Sequence, residues 1–89
     1  MIDRRTAVIT GAARGIGNAV AARLAGDGFA VAVLDIMDES KAAANLKGIK
    51  EAGQPVIYRR CDISRAEDRK AAIYSVMEEF GRIDVLVNN

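Results

Sequence analysis

The sequence predicts an α/β protein built on a doubly wound parallel sheet, and three observations carry that expectation. Short apolar runs without polar alternation recur along the chain, the pattern of parallel strands covered on both faces. Between them the apolar spacing changes to the period of a helix. A glycine-rich turn joins the first run to the first helical stretch.

The first strand is expected over Thr6 to Thr10. The first helix follows, with Ile16, Val20 and Leu24 on one face and Gly28 placed to close its C-terminus. Phe29 to Leu34 is the second strand, and a second helix runs from about Glu39 to Ala52 with Ala42, Leu46 and Ile49 inward. Gly53 and Pro55 end that helix, while Gly48 inside it counts against it. A shorter run, Val56 to Tyr58, is the third strand. Ser64 followed by Glu67 is the pattern of a capping box, so the third helix starts there, buries Ile73, Met77 and Phe80, and stops at Gly81. Ile83 to Val87 is the fourth strand.

The order β-α-β-α-β-α-β contains no repeat, linker or low-complexity stretch. Right-handed crossovers put the first two helices on one face of the sheet. Placing the fourth strand beside the first sends the third helix to the other face and gives the strand order 3-2-1-4. That second face is under-covered, and an apolar strand edge after Val87 is an aggregation hazard. The chain is therefore expected to continue beyond Asn89, with residues 1–89 forming the N-terminal part of a single domain.

Composition excludes several function classes. A chain of 89 residues holds at most one small domain, and 51% hydrophobic with 28% charged residues fits a globular protein rather than a disordered or fibrous one. Lys and Arg number 13 against 12 Asp and Glu, so no net field would hold nucleic acid or an anionic membrane. Cys61 is the only cysteine and there is no His, which rules out an internal disulfide and a Cys/His metal site. The charged stretch Met1 to Arg5 leads into an apolar run too short for a signal peptide or a membrane span, so a cytoplasmic location is expected.

The turn Thr10-Gly11-Ala12-Ala13-Arg14-Gly15-Ile16-Gly17 follows a strand and opens a helix, the context a dinucleotide-binding fingerprint requires. Gly11 permits the tight turn, Gly15 lets backbone approach a pyrophosphate, and Gly17 lets the helix pack near the strand. Backbone N–H groups and the helix dipole then attract phosphate. A turn that merely connects strand to helix is the plainer alternative. Asp35, ending the second strand, can accept hydrogen bonds from both adenosine ribose hydroxyls, although a strand-end or N-cap Asp needs no such role.

The spacing GxxxGxG, with Thr before it, resembles the short-chain dehydrogenase/reductase family, and two more segments match that family in the expected order. Cys61-Asp62-Ile63-Ser64 resembles its Asp-hydrophobic-Ser/Thr step after the third strand; the resemblance implies that Asp62 contacts the adenine amino group and Ile63 lines the adenine pocket. Without the resemblance, Asp62 reads as a turn residue. Asp84-Val85-Leu86-Val87-Asn88-Asn89 resembles the approach to the family's Asn-Asn-Ala-Gly motif, which implies that Asn88 sits near the cofactor and braces the sheet.

The resemblance implies the N-terminal half of a Rossmann-type fold and an NAD(P)-dependent oxidoreductase, with hydride transfer between nicotinamide and a small-molecule carbonyl or alcohol. It also implies a homo-oligomer. The candidate cofactor-binding residues are Gly11, Ala13, Arg14, Gly15, Ile16, Gly17, Asp35, Ile36, Asp62, Ile63 and Asn88. The family's catalysts, a Ser and a Tyr-x-x-x-Lys pair, have no counterpart here. Tyr58 is followed at the fourth position by Asp62 and Tyr74 by Glu78, so both tyrosines read as packing residues and the chain alone is expected to be inactive.

NAD is favoured over NADP, because the Asp35 carboxylate would face the 2'-phosphate of NADP. Ile36 and Met37 offer no basic partner after it. Arg14 argues the other way, since a basic residue in the turn could pair with that phosphate, though a solvated arginine or a pyrophosphate contact serves equally. Arg59, Arg60, Arg65 and Arg69 read as solvated surface. The rival readings are a non-catalytic nucleotide-binding protein of the same fold and a methyltransferase; the Gly-Ile-Gly spacing and the terminal Asn pair count against the latter. A P-loop phosphotransferase is set aside, because Gly15-Ile16-Gly17-Asn18 lacks the Lys-Ser/Thr pair.

Overall fold

The computed structural model describes residues 4–89, so the first three residues of the charged N-terminal stretch Met1 to Arg5 lie outside the described residues. Its elements are β1 (Thr6–Thr10), α1 (Gly15–Gly26), β2 (Ala30–Asp35), α2 (Glu39–Lys50), β3 (Val56–Arg60), α3 (Ala66–Phe80) and β4 (Val85–Val87). The strands form one parallel sheet in the expected order, β3-β2-β1-β4. β1 is buried along its whole length and β2 except at Asp35, which explains why both read as unbroken apolar runs.

Two cores lie on opposite faces of the sheet. Ala7, Ile9, Val31, Val33 and Tyr58 pack under α1 and α2, and α2 contributes Ala42, Leu46 and Ile49 as expected. Val8, Ala30, Ala32 and Leu34 on the other face pack against Cys61 and α3. Gly28, Gly53 and Gly81 have φ of +98°, +82° and +78°, the left-handed geometry that stops each helix. α2 runs through Gly48 without a break, its buried face holding Ala42, Leu46 and Ile49.

The other two helices are turned by one position from the faces read in the sequence. In α1 the buried residues are Gly17, Ala21 and Ala25; Val20 and Leu24 are half-buried and Ile16 is exposed. In α3 they are Ala72, Val76 and Phe80, leaving Ile73 and Met77 exposed. In α1 small residues meet the sheet, which lets the helix axis come close, and the larger apolar side chains flank the contact; in α3 the buried row runs through Ala72, Val76 and Phe80 instead. Periodicity finds the apolar arc but not which edge of it faces the strands. Tyr74, read as a packing residue, is exposed as well.

The capping box at Ser64 does not form. The Ser64 hydroxyl donates to Asp62 Oδ1 at 2.6 Å and the Arg65 N–H donates to the Asp62 carbonyl at 3.0 Å, so Asp62 heads a turn. The helix begins only at Ala66, without a side-chain cap. Asp62 wins the hydroxyl because a carboxylate two residues away is a stronger local acceptor. β3 also runs past its apolar residues, since Arg59 and Arg60 continue to pair with Leu34 and Asp35 of β2. Both arginines have partners rather than being merely solvated. Arg59 bonds Ser75 and the Tyr58 carbonyl and pairs with Glu79, tying the edge strand to α3. Charged residues suit such an edge.

β4 is held to β1 by Asp84, which accepts a hydrogen bond from the Thr6 N–H at 2.8 Å and two from the Arg82 guanidinium. These bonds hold the Asp84 carboxyl below the usual carboxylate range, and the bonds from Ser64 do the same for Asp62. A depressed folded pKa gives stability that is complete above the unfolded value, about 3.9, and lost as pH falls through the folded value. The destabilisation caused by Asp84→Asn should therefore be constant from neutral pH to about pH 5 and shrink below about 3.9, as urea midpoints at a series of pH values would show. A gap that widens in acid would contradict this account.

Thr6 has a fully buried hydroxyl that finds no partner among the described residues. Thr6→Val keeps the shape and removes the orphan group, and should raise stability by about 1 kcal/mol in chemical denaturation. A loss of stability would mean that the hydroxyl is bonded after all.

Candidate functional site

The carboxyl ends of all four strands lie on one side of the molecule, where open parallel sheets bind ligands, and the turn between β1 and α1 is the centre of that rim. Gly11 and Gly15 have φ of +63° and +66°, conformations that favour glycine. A side chain at Gly15 would meet nothing within 4 Å, so the backbone there faces open space. At Gly17 an added Cβ would lie 2.6 Å from the Gly11 carbonyl oxygen and 3.0 Å from Ala12 Cα. A side chain at Gly17 would thus strike the backbone of the turn, whereas one at Gly15 would enter open space. Arg14 is extended at the N-cap of α1 and makes no side-chain cap bond, and both Arg14 and Ile16 are exposed at the mouth of the turn. The first N–H groups of a helix have no partner within it and carry the positive end of its dipole, so the turn suits a phosphate.

Three asparagines hold the turn, and sequence reasoning assigned none of them. Asn89 Nδ2 donates to the Gly11 carbonyl at 3.1 Å, Asn18 Nδ2 to that of Ala12 at 3.1 Å and Asn45 Nδ2 to that of Ala13 at 2.9 Å. Consecutive carbonyls are thus tied back by side chains from three different elements or their ends. Their common residue type was the only signal in the sequence, and nothing local links positions so far apart. The bracing expected of Asn88 is supplied by Asn89, whose N–H also donates to Thr10 Oγ1 at 3.1 Å.

Asp35 closes the turn from the other side. Its Oδ2 accepts from the Ala13 N–H at 3.0 Å and its Oδ1 from the Ile36 N–H at 2.7 Å, while the Gly11 N–H donates to the Leu34 carbonyl at 2.7 Å. The carboxylate is therefore fixed against the glycine turn, half-buried, with lone pairs left for further donors.

Beyond Asp35, β3 reaches across to the following loop. The Tyr58 hydroxyl donates to the Met37 carbonyl, Arg60 Nε donates to the Ile36 carbonyl at 2.9 Å, and Arg60 pairs with Asp38 at 2.7 Å. Tyr58 is more than packing, and its phenol is pushed up to about 12 by burial first and by Asp35 next, with Arg60 opposing. Burial likewise pushes the Cys61 thiol up, and Asp68 and Asp62 add to it, so this free cysteine behaves as a core residue.

The remaining predicted residues fall into two cavities. Ile36 and Asp62 line one of about 360 Å3, together with Arg60, Arg65 and Asp68. Ile63 and Asn88 line another of about 210 Å3, with Thr10, Leu34 and Ile73. Asp62 and Ile63 are neighbours in sequence but line different cavities, the chain turning between Asp62 and Arg65. No helix among the described residues is long and apolar enough to cross a membrane.

The family model for short chain dehydrogenases matches residues 5–89. Among characterised proteins, the short-chain reductase protein NovJ of Streptomyces niveus is 48% identical over 82 residues, which are 92% of this chain and 31% of that protein. Among solved structures, a 3-oxoacyl-[acyl-carrier protein] reductase from Brucella melitensis in complex with NAD superposes with a TM-score of 0.90 at 32% identity, over 100% of this chain and 34% of that one. A variant actinorhodin polyketide ketoreductase with NADPH gives 0.89 at 38% identity, over 98% and 33%. The chain spans about a third of the length of the curated relatives it matches. With the sheet order, the glycine turn and a match along nearly its whole length in agreement, the chain belongs to the short chain dehydrogenase family.

Proposed function

We propose that the intact protein carrying this chain is an NAD-preferring oxidoreductase that moves a hydride between nicotinamide and the carbonyl or alcohol carbon of a small molecule. Residues 1–89 would form the part of its dinucleotide-binding domain that holds the adenosine and pyrophosphate. The observation that carries this reading is the Asp35 carboxylate, fixed 3.0 Å from the Ala13 N–H beside a turn whose backbone is open at Gly15. A ribose diol on Asp35 places its 5'-phosphate toward the positive end of α1, which few other ligands would match at both points.

In this reading Gly11, Ala13, Arg14, Gly15, Ile16 and Gly17 cradle the pyrophosphate, Asp35 takes the ribose hydroxyls, and Ile36, Asp62, Ile63 and Asn88 border the adenosine. When bound, the cofactor supplies the hydride donor or acceptor. Asp35 disfavours a 2'-phosphate by like charge, and Arg14 is exposed enough to stay in solvent or meet the pyrophosphate. Relatives named as reductases of oxo groups, with NAD in one structure and NADPH in another, support the reaction class and leave the choice of cofactor to Asp35. The catalytic Ser and Tyr-x-x-x-Lys would come from outside these residues. A cytoplasmic, homo-oligomeric protein without nucleic-acid or membrane partners fits the near-zero net charge and the single free cysteine.

The test is a titration of the intact protein with NADH and with NADPH, followed by nicotinamide fluorescence, and a carbonyl-reduction assay with each. Saturable NADH binding, tighter than NADPH, with NADH-dependent reduction is the expected result. Binding without reduction of any carbonyl tried would leave a non-catalytic nucleotide-binding protein, and no binding of either would overturn the reading.

A further inference from the structure

The loop between β2 and α2 begins at Asp35, so a phosphate on the 2'-oxygen of a ribose bonded there would lie against residues 36–38. Residues 36–38, directly after Asp35, include no basic residue, yet one cation reaches this loop from another strand. Arg60, at the last position of β3, is the register partner of Asp35 and donates to the Ile36 carbonyl at 2.9 Å. Its other arm is paired with Asp38 Oδ1 at 2.7 Å.

Asp38 is unusual in what it does not do. It is the N-cap of α2, a position where Asp ordinarily bonds its own helix N–H groups, but its side chain makes no cap bond. Its backbone carbonyl accepts from Lys41 and Ala42, so the helix starts without its carboxylate, which is spent on Arg60. The same neighbourhood holds Glu39, and the charges of Asp35, Asp38, Glu39 and Arg60 all act on the Tyr58 phenol. One guanidinium therefore stands among three carboxylates.

We infer that the Asp38–Arg60 pair is a specificity-determining device. Asp38 occupies the guanidinium that would otherwise receive a 2'-phosphate, so the pair, with Asp35, sets the preference for an unphosphorylated ribose. An exposed arginine holds a phosphate best by two parallel N–H bonds; Arg60 already spends Nε on the Ile36 carbonyl and Nη1 on Asp38, whose negative charge would also oppose a phosphate brought to the remaining N–H groups. Removing the Asp38 charge leaves Arg60 anchored to Ile36 through Nε with its terminal nitrogens free. This inference rests on the dinucleotide reading proposed above.

The experiment measures dissociation constants for NADH and NADPH by nicotinamide fluorescence in the intact protein and in four variants. Asp38→Asn should tighten NADPH by about fivefold while changing NADH by less than about twofold. The double variant Asp38→Asn/Arg60→Gln should lose that gain, and Arg60→Gln alone should not produce it. Glu39→Gln removes a neighbouring carboxylate that Arg60 does not bond, and should give less than half the gain of Asp38→Asn. The inference is overturned if the NADPH/NADH ratio is unchanged in Asp38→Asn, if the gain survives in the double variant, or if Glu39→Gln matches it. Those results still require tight NADH binding by the unaltered protein. Failure of the unaltered protein to bind either dinucleotide would instead remove the dinucleotide reading, and this inference with it.

Discussion

Replacing Gly17 with alanine should destabilise the intact protein by about 3 kcal/mol, seen as a lower midpoint in chemical denaturation with an unchanged slope. The new methyl would sit 2.6 Å from the Gly11 carbonyl oxygen and 3.0 Å from Ala12 Cα, and backbone cannot swing aside as the end of a side chain can. It would also press on Asn89 Nδ2 at 2.6 Å, the group that bonds the Gly11 carbonyl. To relieve the clash, α1 must lift from β1, and Ala21 and Ala25 lose their contact with the sheet as it goes. Against a typical total stability of about 5–15 kcal/mol this is a large fraction. Gly15→Ala is the control. Its methyl enters open space, so the cost is only that of a left-handed conformation, about 1 kcal/mol. If the dinucleotide reading holds, Gly15→Ala should impair NADH binding more than stability, and Gly17→Ala the reverse. Equal stability losses would mean that the close approach at Gly17 is not what fixes α1.

Asp35→Ala should weaken NADH binding about 100-fold, with a much smaller effect on NADPH. Hydrogen bonds from two ribose hydroxyls to one carboxylate are charge-assisted, and losing both costs roughly 3 kcal/mol. NADPH loses the same bonds but is also freed from repulsion at its phosphate, so the NADPH/NADH ratio should rise. The variant also leaves the Ala13 and Ile36 N–H groups without their present acceptor, which loosens the glycine turn. Asp35→Asn separates the two effects: its amide oxygen can still accept from Ala13, but only one oxygen remains to share among the donors. Titration of both variants with both cofactors, alongside their denaturation midpoints, checks the account. An Asp35→Ala protein that keeps its NADH affinity would remove Asp35 from the ribose site.

How much of this was legible in the sequence differs between strand and helix, and between local and distant contacts. The order of the elements followed from apolar runs and helical spacing, and, with the fourth strand placed beside the first, the handedness of crossovers assigned the helices to their faces, because those depend on burial of both sheet faces and on backbone chirality. The glycine turn and its context were equally legible, since positive φ at Gly11 and Gly15 and the close approach at Gly17 are demands that only glycine meets. The family resemblance rested on the same turn and on the segments around Asp62 and Asn88.

Only the tertiary structure decided which edge of each apolar arc faces the sheet. Ile16 in α1 and Ile73 and Met77 in α3 were given to the core, yet the residues beside them, Gly17 in α1 and Ala72 and Val76 in α3, take the contact, because the seating of a helix on a sheet is set by both surfaces together. The start of α3 was decided by competition for the Ser64 hydroxyl, which Asp62 wins once the turn is folded. The asparagine harness on the glycine turn and the reach of Tyr58 and Arg60 to the loop after Asp35 join residues from separate elements. Local physics writes the elements into the sequence through periods and conformational preferences; hydrogen bonds across tens of residues leave no such period, and exist only where the fold brings donor and acceptor together.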